Sequence, residues 1–164
     1  MIVLGIDPGS RVTGFGIVEK KLNNQIRYIS SGCIRVTSLS LGNKLYSIFD
    51  GIAQLMQEFQ PSEVGIESIF MHQNAMSALK LGQARGVAIA AAAHYAATVF
   101  EYSPRQIKQA VVGYGAAQKS QVQSMVCRLL SLQSAPQADA SDALAVALCH
   151  IHTQEGLKKL GGYK

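Results

Sequence analysis

Two carboxylates occupy the same position in two matching segments of the sequence. Asp7 ends the triplet Gly5-Ile6-Asp7 and Glu67 ends Gly65-Ile66-Glu67, each after a short apolar run typical of a strand. If these strands are parallel neighbours, both acids lie at the carboxyl edge of one sheet, where open α/β sheets place their sites. A turn role before Pro8 is an alternative for Asp7, whereas Glu67 has no evident capping role.

Two further acids, Asp139 and Asp142, open the last predicted helix. Their spacing of three residues places them on one face of that helix, about one turn apart. Acids in a first helical turn also complement the helix dipole and cap free N–H groups. The pair alone therefore does not indicate a site; its combination with the two strand-end acids does.

Bringing all four carboxylates together is costly without a cation. Two carboxylates about 4 Å apart repel by about 4 kcal/mol at an effective dielectric of 20. A hard divalent ion removes that conflict, and an all-oxygen ligand set favours Mg²⁺, with Mn²⁺ as a substitute. Two such ions can activate water and stabilise the leaving oxygen of a phosphodiester. The four acids therefore predict metal-dependent phosphodiester hydrolysis, with two ions per site.

The elements that must position these acids follow a regular order. Three strands precede a helix, a strand, a helix, a strand and then three helices, and Gly14 and Gly16 in the second strand allow close backbone approach. Strand–helix–strand units imply parallel pairing, so we expect an α/β fold with a mixed five-stranded sheet and helices on both faces, forming one domain over 1–164. The predicted strands are 2–7, 12–20, 25–36, 63–67 and 98–102; the predicted helices are 41–60, 75–97, 104–112, 119–132 and 138–154.

The composition favours an anionic partner without identifying it. Only 15% of the residues are charged, yet the formal net charge is +5, which suits nucleic acid first and an acidic lipid surface second. Many proteins with this charge bind neither. The longest apolar run is too short to span a membrane, and no secretory signal is visible. The three cysteines lack CxxC spacing, so we expect reduced thiols and a cytoplasmic location.

Four segments in register resemble the RuvC family of Holliday junction resolvases. They are GIDPGSRVTGFGIV (5–18), GIESIFMHQNAMSALKLGQARGVA (65–88), QIKQAVVGYGAAQKSQV (106–122) and PQADASDALAVALCH (136–150). The resemblance implies a ribonuclease-H-like, retroviral-integrase-like fold. It also implies a Mg²⁺-dependent homodimer that binds four-way junction DNA and nicks two strands of like polarity symmetrically. In bacterial recombination and repair such an enzyme acts after the RuvA–RuvB branch-migration complex, and it prefers a short T-rich cleavage sequence.

The same resemblance assigns the site residue by residue. Asp7, Glu67, Asp139 and Asp142 match the family's metal-binding carboxylates, Lys108 and Lys119 its basic residues near the active site, and Phe70 its base-contacting aromatic side chain. Surface exposure without contact is the alternative for the lysines, and a place in the core is the alternative for Phe70. The chain departs from some relatives in its short tail after His152, so a DNA contact by that tail is not implied.

Three other functions use similar elements. A sugar-kinase or actin-like ATPase also begins with a strand, an Asp and a Gly-rich hairpin, but it needs a second such domain and a second phosphate loop, and this chain has neither the length nor the loop. A nuclease acting on RNA–DNA hybrids has the same fold and the same acids. A non-catalytic junction-binding scaffold would lack one of the acids, and none is missing here.

Overall fold

The structure, a computed structural model, describes residues 1–36, 40–68 and 75–161. Five strands form one sheet in the order β3-β2-β1-β4-β5. The strands are β1 (Ile2–Asp7), β2 (Val12–Lys20), β3 (Ile26–Arg35), β4 (Glu63–Glu67) and β5 (Thr98–Tyr102). The helices are α1 (Leu41–Phe59), α2 (Ala75–His94), α3 (Pro104–Val112), α4 (Lys119–Leu129) and α5 (Ala138–Lys159).

The sheet is mixed, as expected from the order of its elements. Strands β1, β2 and β3 form an antiparallel meander, and β4 and β5 add to β1 in parallel. Across the β1–β4 pair, Gly5 lies opposite Gly65 and Ile6 lies opposite Ile66. Asp7 and Glu67 are the next residues of the two strands, so they end side by side at the carboxyl edge.

Each face of the sheet carries its own apolar core. Helices α1 and α2 cover one face, where they pack with Leu4 and Ile6 of β1. Helices α3, α4 and α5 cover the other face, where Val3 of β1 packs against α5 residues such as Leu144 and Leu148. Alternation along β1 therefore directs the Asp7 side chain to the α5 face, opposite to Ile6.

Helix α5 lies unusually close to the sheet because glycines replace side chains along its path. A Cβ atom on Gly5 would lie 2.1 Å from the Ala143 carbonyl oxygen, and one on Gly14 would lie 2.0 Å from that of Asp139. At Gly16 the nearest atoms belong to Leu144. The approach expected at Gly14 and Gly16 is thus made by α5, and it brings the two acids of α5 to the end of β1.

A buried hydrogen-bond chain also fixes α5 against the sheet. His150 of α5 is fully buried, with Nδ1 2.8 Å from the Tyr102 hydroxyl and Nε2 2.5 Å from a Glu63 carboxylate oxygen. Because a carboxylate only accepts, Nε2 donates to Glu63 and Nδ1 accepts from Tyr102. Burial lowers the pKa of His150 although Glu63 opposes that shift, so the ring is neutral near pH 7.

Most predicted bounds agree with the structure to within a residue, and three helix ends differ. Helix α2 ends at His94 rather than 97 because Ala96 adopts a left-handed backbone with φ of 58°. Helix α4 stops at Leu129 rather than 132, close to Ser131 with φ of 52°. Helix α5 continues beyond 154 to Lys159. No helix in the described part of the chain is long and apolar enough to cross a membrane.

Candidate active site

Asp7 and Glu67 lie next to each other at the edge of the sheet, and both carboxyl groups have raised pKa values. Burial raises the pKa of Asp7 to about 8, helped by the charges of Glu67, Asp142 and Asp139 and by a hydrogen bond to Glu67. Burial also raises the pKa of Glu67, although its hydrogen bond with Asp7 opposes the shift. The proton of the pair therefore resides on Asp7 near pH 7, and Glu67 accepts the hydrogen bond between the two side chains.

The acids of α5 face this pair. Asp139 lies in the first turn of the helix, and its N-cap residue, Gln137, makes no side-chain capping bond. Asp142 accepts a hydrogen bond from the Lys119 ammonium of α4, at 2.5 Å. Both carboxylates contribute to the raised pKa of Asp7. Carboxylates from β1, β4 and α5 therefore act on one another electrostatically.

Two lysines and two acids line one cleft of about 210 Å³ beside Asp7. Glu67 and Asp142 lie in its lining with Lys108 of α3 and Lys119 of α4. The pKa of Lys119 is raised, first by its hydrogen bond to Asp142. The two lysines also oppose the rise in the pKa of Glu67. The structure thus places cations next to the acids, in an arrangement that could hold an anionic group between them.

Phe70, the seventh predicted site residue, lies outside the described residues. Of the other six, Asp7, Glu67, Asp139, Asp142 and Lys119 interact as described above, and Lys108 lines the cleft with two of them. Asp139 does not line the cleft itself. Its carboxylate acts on Asp7 from the start of α5.

The donor set suits a hard divalent cation, although the side chains are not arranged as a complete ligand set. Among residues 1–36, 40–68 and 75–161, no three His, Cys, Asp or Glu side chains form a group that could hold a metal ion as they stand. Lys119 neutralises Asp142, and the proton on Asp7 removes one of the two negative charges of the Asp7–Glu67 pair. All four acids offer oxygen donors, and a divalent cation would replace that proton and that ammonium as counter-charge.

Arg85 is a further site residue, which its sequence context did not single out. Its Nε donates to the backbone carbonyl of Glu67 at 3.2 Å, and its Nη2 pairs by charge with Glu101 of β5 without a well-aligned hydrogen bond. Only 18% of its side chain is exposed. The sequence feature that could have indicated its role is that Arg85 is the one arginine in α2, within a stretch of small residues. Its contacts tie α2 to the ends of both parallel strands.

Replacing Arg85 with Met is expected to lower the free energy of unfolding by about 1–3 kcal/mol. The change removes a hydrogen bond to the Glu67 carbonyl, together with the charge that pairs with the half-exposed Glu101 carboxylate. Arg27→Met is the matched control, because Arg27 pairs with Glu19 while 59% exposed, and exposed pairs contribute at most about 1 kcal/mol. Urea unfolding measures the loss in the free energy of unfolding for Arg85→Met and for Arg27→Met. Equal losses in the two variants would contradict a structural role for Arg85.

Comparison with known proteins places this geometry in one family. The family model described as crossover junction endodeoxyribonuclease RuvC matches residues 3–150. A protein of that name from Legionella pneumophila strain Philadelphia 1 is 60% identical over 162 residues, covering 98% of this chain and 92% of that protein. Another of that name, from Shewanella amazonensis, is 56% identical over 161 residues, with the same coverage.

Solved structures agree with this assignment. Thermus thermophilus RuvC matches with a TM-score of 0.85 and 32% identity, covering 95% of this chain and 97% of that one. The T. thermophilus protein in complex with a Holliday junction substrate matches with a TM-score of 0.86 and 28% identity, covering 95% and 96%. The expected ribonuclease-H-like fold is therefore confirmed, and the chain belongs to the crossover junction endodeoxyribonuclease RuvC family.

Proposed function

We propose that this chain binds four-way DNA junctions and resolves them by symmetric, metal-dependent nicking of two strands of like polarity. The observation that carries the proposal is the cleft in which Glu67 and Asp142 face Lys108 and Lys119 beside Asp7. Acids that need a cation and lysines that suit a phosphate lie within one site. The Thermus thermophilus relative bound to a Holliday junction substrate supports the junction as the DNA form.

Asp7, Glu67, Asp139 and Asp142 would hold Mg²⁺, or Mn²⁺ in its place, with two ions per site. When bound, the ions would supply Lewis acidity for water attack on a phosphodiester and for departure of the leaving oxygen. As a ligand Asp7 would be ionised, because the charge of a divalent cation would offset the effect of the neighbouring carboxylates on its pKa. Rigid elements fix the four acids, since β1 and β4 are central strands and α5 packs on their glycines.

Lys108 and Lys119 would bind backbone phosphates of the DNA. Lys119 is 59% exposed and its partner Asp142 is a ligand of the proposed metal site, so its ammonium can exchange that carboxylate for a phosphate. Phe70 would stack on an unpaired base at the junction centre, an interaction worth about 1–3 kcal/mol. That role rests on the resemblance.

Symmetric nicking needs two sites, and a two-fold dimer through α2 would supply them. Leu79, Gly82, Gly86 and Ala90 form an exposed stripe on α2. A Cβ atom on Gly82 or Gly86 would meet nothing within 4 Å. Glycine inside a helix costs about 1 kcal/mol relative to Ala, and packing within this chain does not account for that cost. A second α2 helix that approaches closely would account for it.

Gly86→Leu is therefore expected to weaken dimerisation by at least about tenfold. A leucine side chain there would hold the two helices apart. Gly42→Leu is the matched control, because Gly42 is an equally open glycine in α1. Sedimentation equilibrium of both variants measures the dimer dissociation constant. Dimers of unchanged strength in Gly86→Leu would show that α2 is not the interface.

The proposed activity can be separated from its alternatives by substrate. Wild-type protein is incubated with Mg²⁺ and a mobile four-way junction, a linear duplex of the same sequences, or an RNA–DNA hybrid, each strand labelled in turn. Paired nicks at symmetric positions in the junction alone are expected. Binding without nicking in Mg²⁺ and in Mn²⁺ would favour a scaffold, and preferential cutting of the hybrid would favour an RNA–DNA hybrid nuclease.

The cellular setting of this activity follows from the resemblance. We infer that the enzyme acts in the bacterial cytoplasm after the RuvA–RuvB complex has moved the junction. The bacterial source of the similar proteins is consistent with this setting. A contact with RuvA or RuvB is testable by pull-down with the assembled junction complex, in which retention above a DNA-only control is expected.

A further inference from the structure

A second cationic groove lies at the same edge of the sheet as the acids, on the opposite face from Lys108 and Lys119. It has a volume of about 380 Å³ and lies between the first turns of α1 and α2 and the turn that follows β1. Arg11 comes from that turn, Lys44 from α1 and Lys80 from α2. Three cations from three separate elements therefore converge on one groove. One of them, Arg11, lies only four residues after Asp7 in the sequence.

The described residues that line the groove supply no opposing charge. None of its described lining residues is an acid, and the neighbouring segments 37–39 and 69–74 contain no Asp or Glu in the sequence. The side-chain ion pairs of the described residues use Lys20, Arg27, Arg85, Lys119 and His150, and so leave out all three groove cations. In a chain with only 15% charged residues, such an unbalanced cluster favours an anionic ligand.

The groove lies on one side of the acids, and the cleft lined by Lys108 and Lys119 lies on the other side. Strands β1, β4 and β5 point their carboxyl ends at this edge, and helices α1 and α2 begin there on one face of the sheet. Lys108 and Lys119 belong to α3 and α4 on the other face. A DNA arm lying across Asp7 and Glu67 would therefore meet cations on both sides.

We propose that Arg11, Lys44 and Lys80 bind the phosphodiester backbone of a junction arm as it leaves the active site across the α1–α2 face. The proposal rests on the proposed function and extends it with a second phosphate-binding surface. Leu45 and Ile48 line the groove beside the lysines, so the aliphatic parts of the side chains can pack there while the charged ends reach the phosphates. Contacts on both faces would hold the scissile strand over the acids.

The test is the salt dependence of DNA binding without divalent metal, so that no strand is cut. Arg11→Gln, Lys44→Gln and Lys80→Gln are compared with wild type on a junction and on a duplex. Each variant is expected to lower the slope of log affinity against log salt by about one unit, because each removes one phosphate contact. Lys21→Gln is the matched control, since Lys21 is exposed in the turn between β2 and β3, at the other end of β2 from Arg11. Its slope is expected to equal that of wild type.

Failure of the groove and failure of the proposed function give different results. Wild-type slopes in all three variants, with normal wild-type binding, would overturn the groove alone. Wild-type affinity equal for junction and duplex would overturn junction specificity, while reduced slopes would still support the groove. If the three variants keep the wild-type salt slope but form a weaker dimer in sedimentation, the groove is a contact between two copies of the chain. Absence of any DNA binding by wild type would overturn both proposals.

Discussion

Asp7→Asn is expected to raise the free energy of unfolding of the metal-free protein at pH 8 by about 2–4 kcal/mol. The wild-type residue is a buried carboxyl with a pKa of about 8, surrounded by three acids, so folding at pH 8 must either take up a proton or bury a charge at that site. Asparagine has the same shape, carries no charge and can still donate to Glu67. Each pKa unit corresponds to about 1.4 kcal/mol, so the shift is large enough for this effect.

The pH dependence has a definite sign. The folded pKa of Asp7 lies above its ordinary value of 3.8, so the folded state binds more protons than the unfolded state between about pH 4 and pH 8. The free energy of unfolding of wild type therefore loses this contribution progressively as the pH rises through that window. His150 acts oppositely below about pH 6.5, because its folded pKa is lowered. The difference between wild type and Asp7→Asn isolates the Asp7 contribution.

Urea unfolding in a chelator at pH 5 and pH 8 measures this difference. The variant should be the more stable protein at both pH values, and its advantage at pH 8 should be several times its advantage at pH 5. Asp50→Asn is the matched control, because Asp50 is the one other Asp of the chain and its side chain accepts a hydrogen bond from Gln54 on the surface of α1. Destabilisation by Asp7→Asn at both pH values would make Asp7 a structural residue and remove it from the proposed site.

Gly5→Ala is expected to destabilise the protein by about 3 kcal/mol or more and to impair cleavage. Its Cβ would lie 2.1 Å from the Ala143 carbonyl oxygen and 2.6 Å from the Ala147 amide nitrogen. Both atoms belong to the backbone of α5, so the helix must move away from β1 and carry Asp139 and Asp142 with it. Overpacking of this kind usually costs about 1–3 kcal/mol, and more where backbone must shift.

Gly42→Ala provides the control for the glycine substitution. Nothing lies within 4 Å of a Cβ at Gly42, and both changes reduce the freedom of the unfolded chain equally. In α1 the substitution should stabilise the protein by up to about 1 kcal/mol. The melting temperature should therefore fall below the wild-type value in Gly5→Ala and rise above it in Gly42→Ala. A wild-type melting temperature in Gly5→Ala would show that α5 does not need its close contact with β1.

The sequence allowed the sheet and the strand-end acids to be predicted for local reasons. Apolar runs ended by Asp7 and Glu67 defined β1 and β4, and the expected parallel pairing of these two strands is found, with Gly5 opposite Gly65. Pro104 marked the start of α3 correctly. Such signals depend on a few neighbouring residues, so they can be recognised without knowing which distant parts of the chain come into contact.

Other features depend on contacts between distant parts of the chain. Lys119 bonds to Asp142 across 23 residues, and Arg85 reaches the Glu67 carbonyl across 18. Periodicity does not encode which side chains meet, so neither bond could be predicted. The length of α5 was underestimated because its last turns are polar and one face is fixed by an ion pair between Lys20 and Glu155. The role of Phe70 stays a prediction.

The rate of junction nicking as a function of Mg²⁺ concentration shows whether Asp7 belongs to a catalytic metal site. Wild type, Asp7→Asn and Asp50→Asn are compared on one mobile junction at pH 8. Wild type and Asp50→Asn should follow the same saturating curve, while Asp7→Asn should stay at least about 10³-fold slower at every concentration, since a metal-stabilised transition state loses several kcal/mol without its ligand. Nicking by Asp7→Asn at the wild-type rate, at any Mg²⁺ concentration, would contradict a metal site built on Asp7.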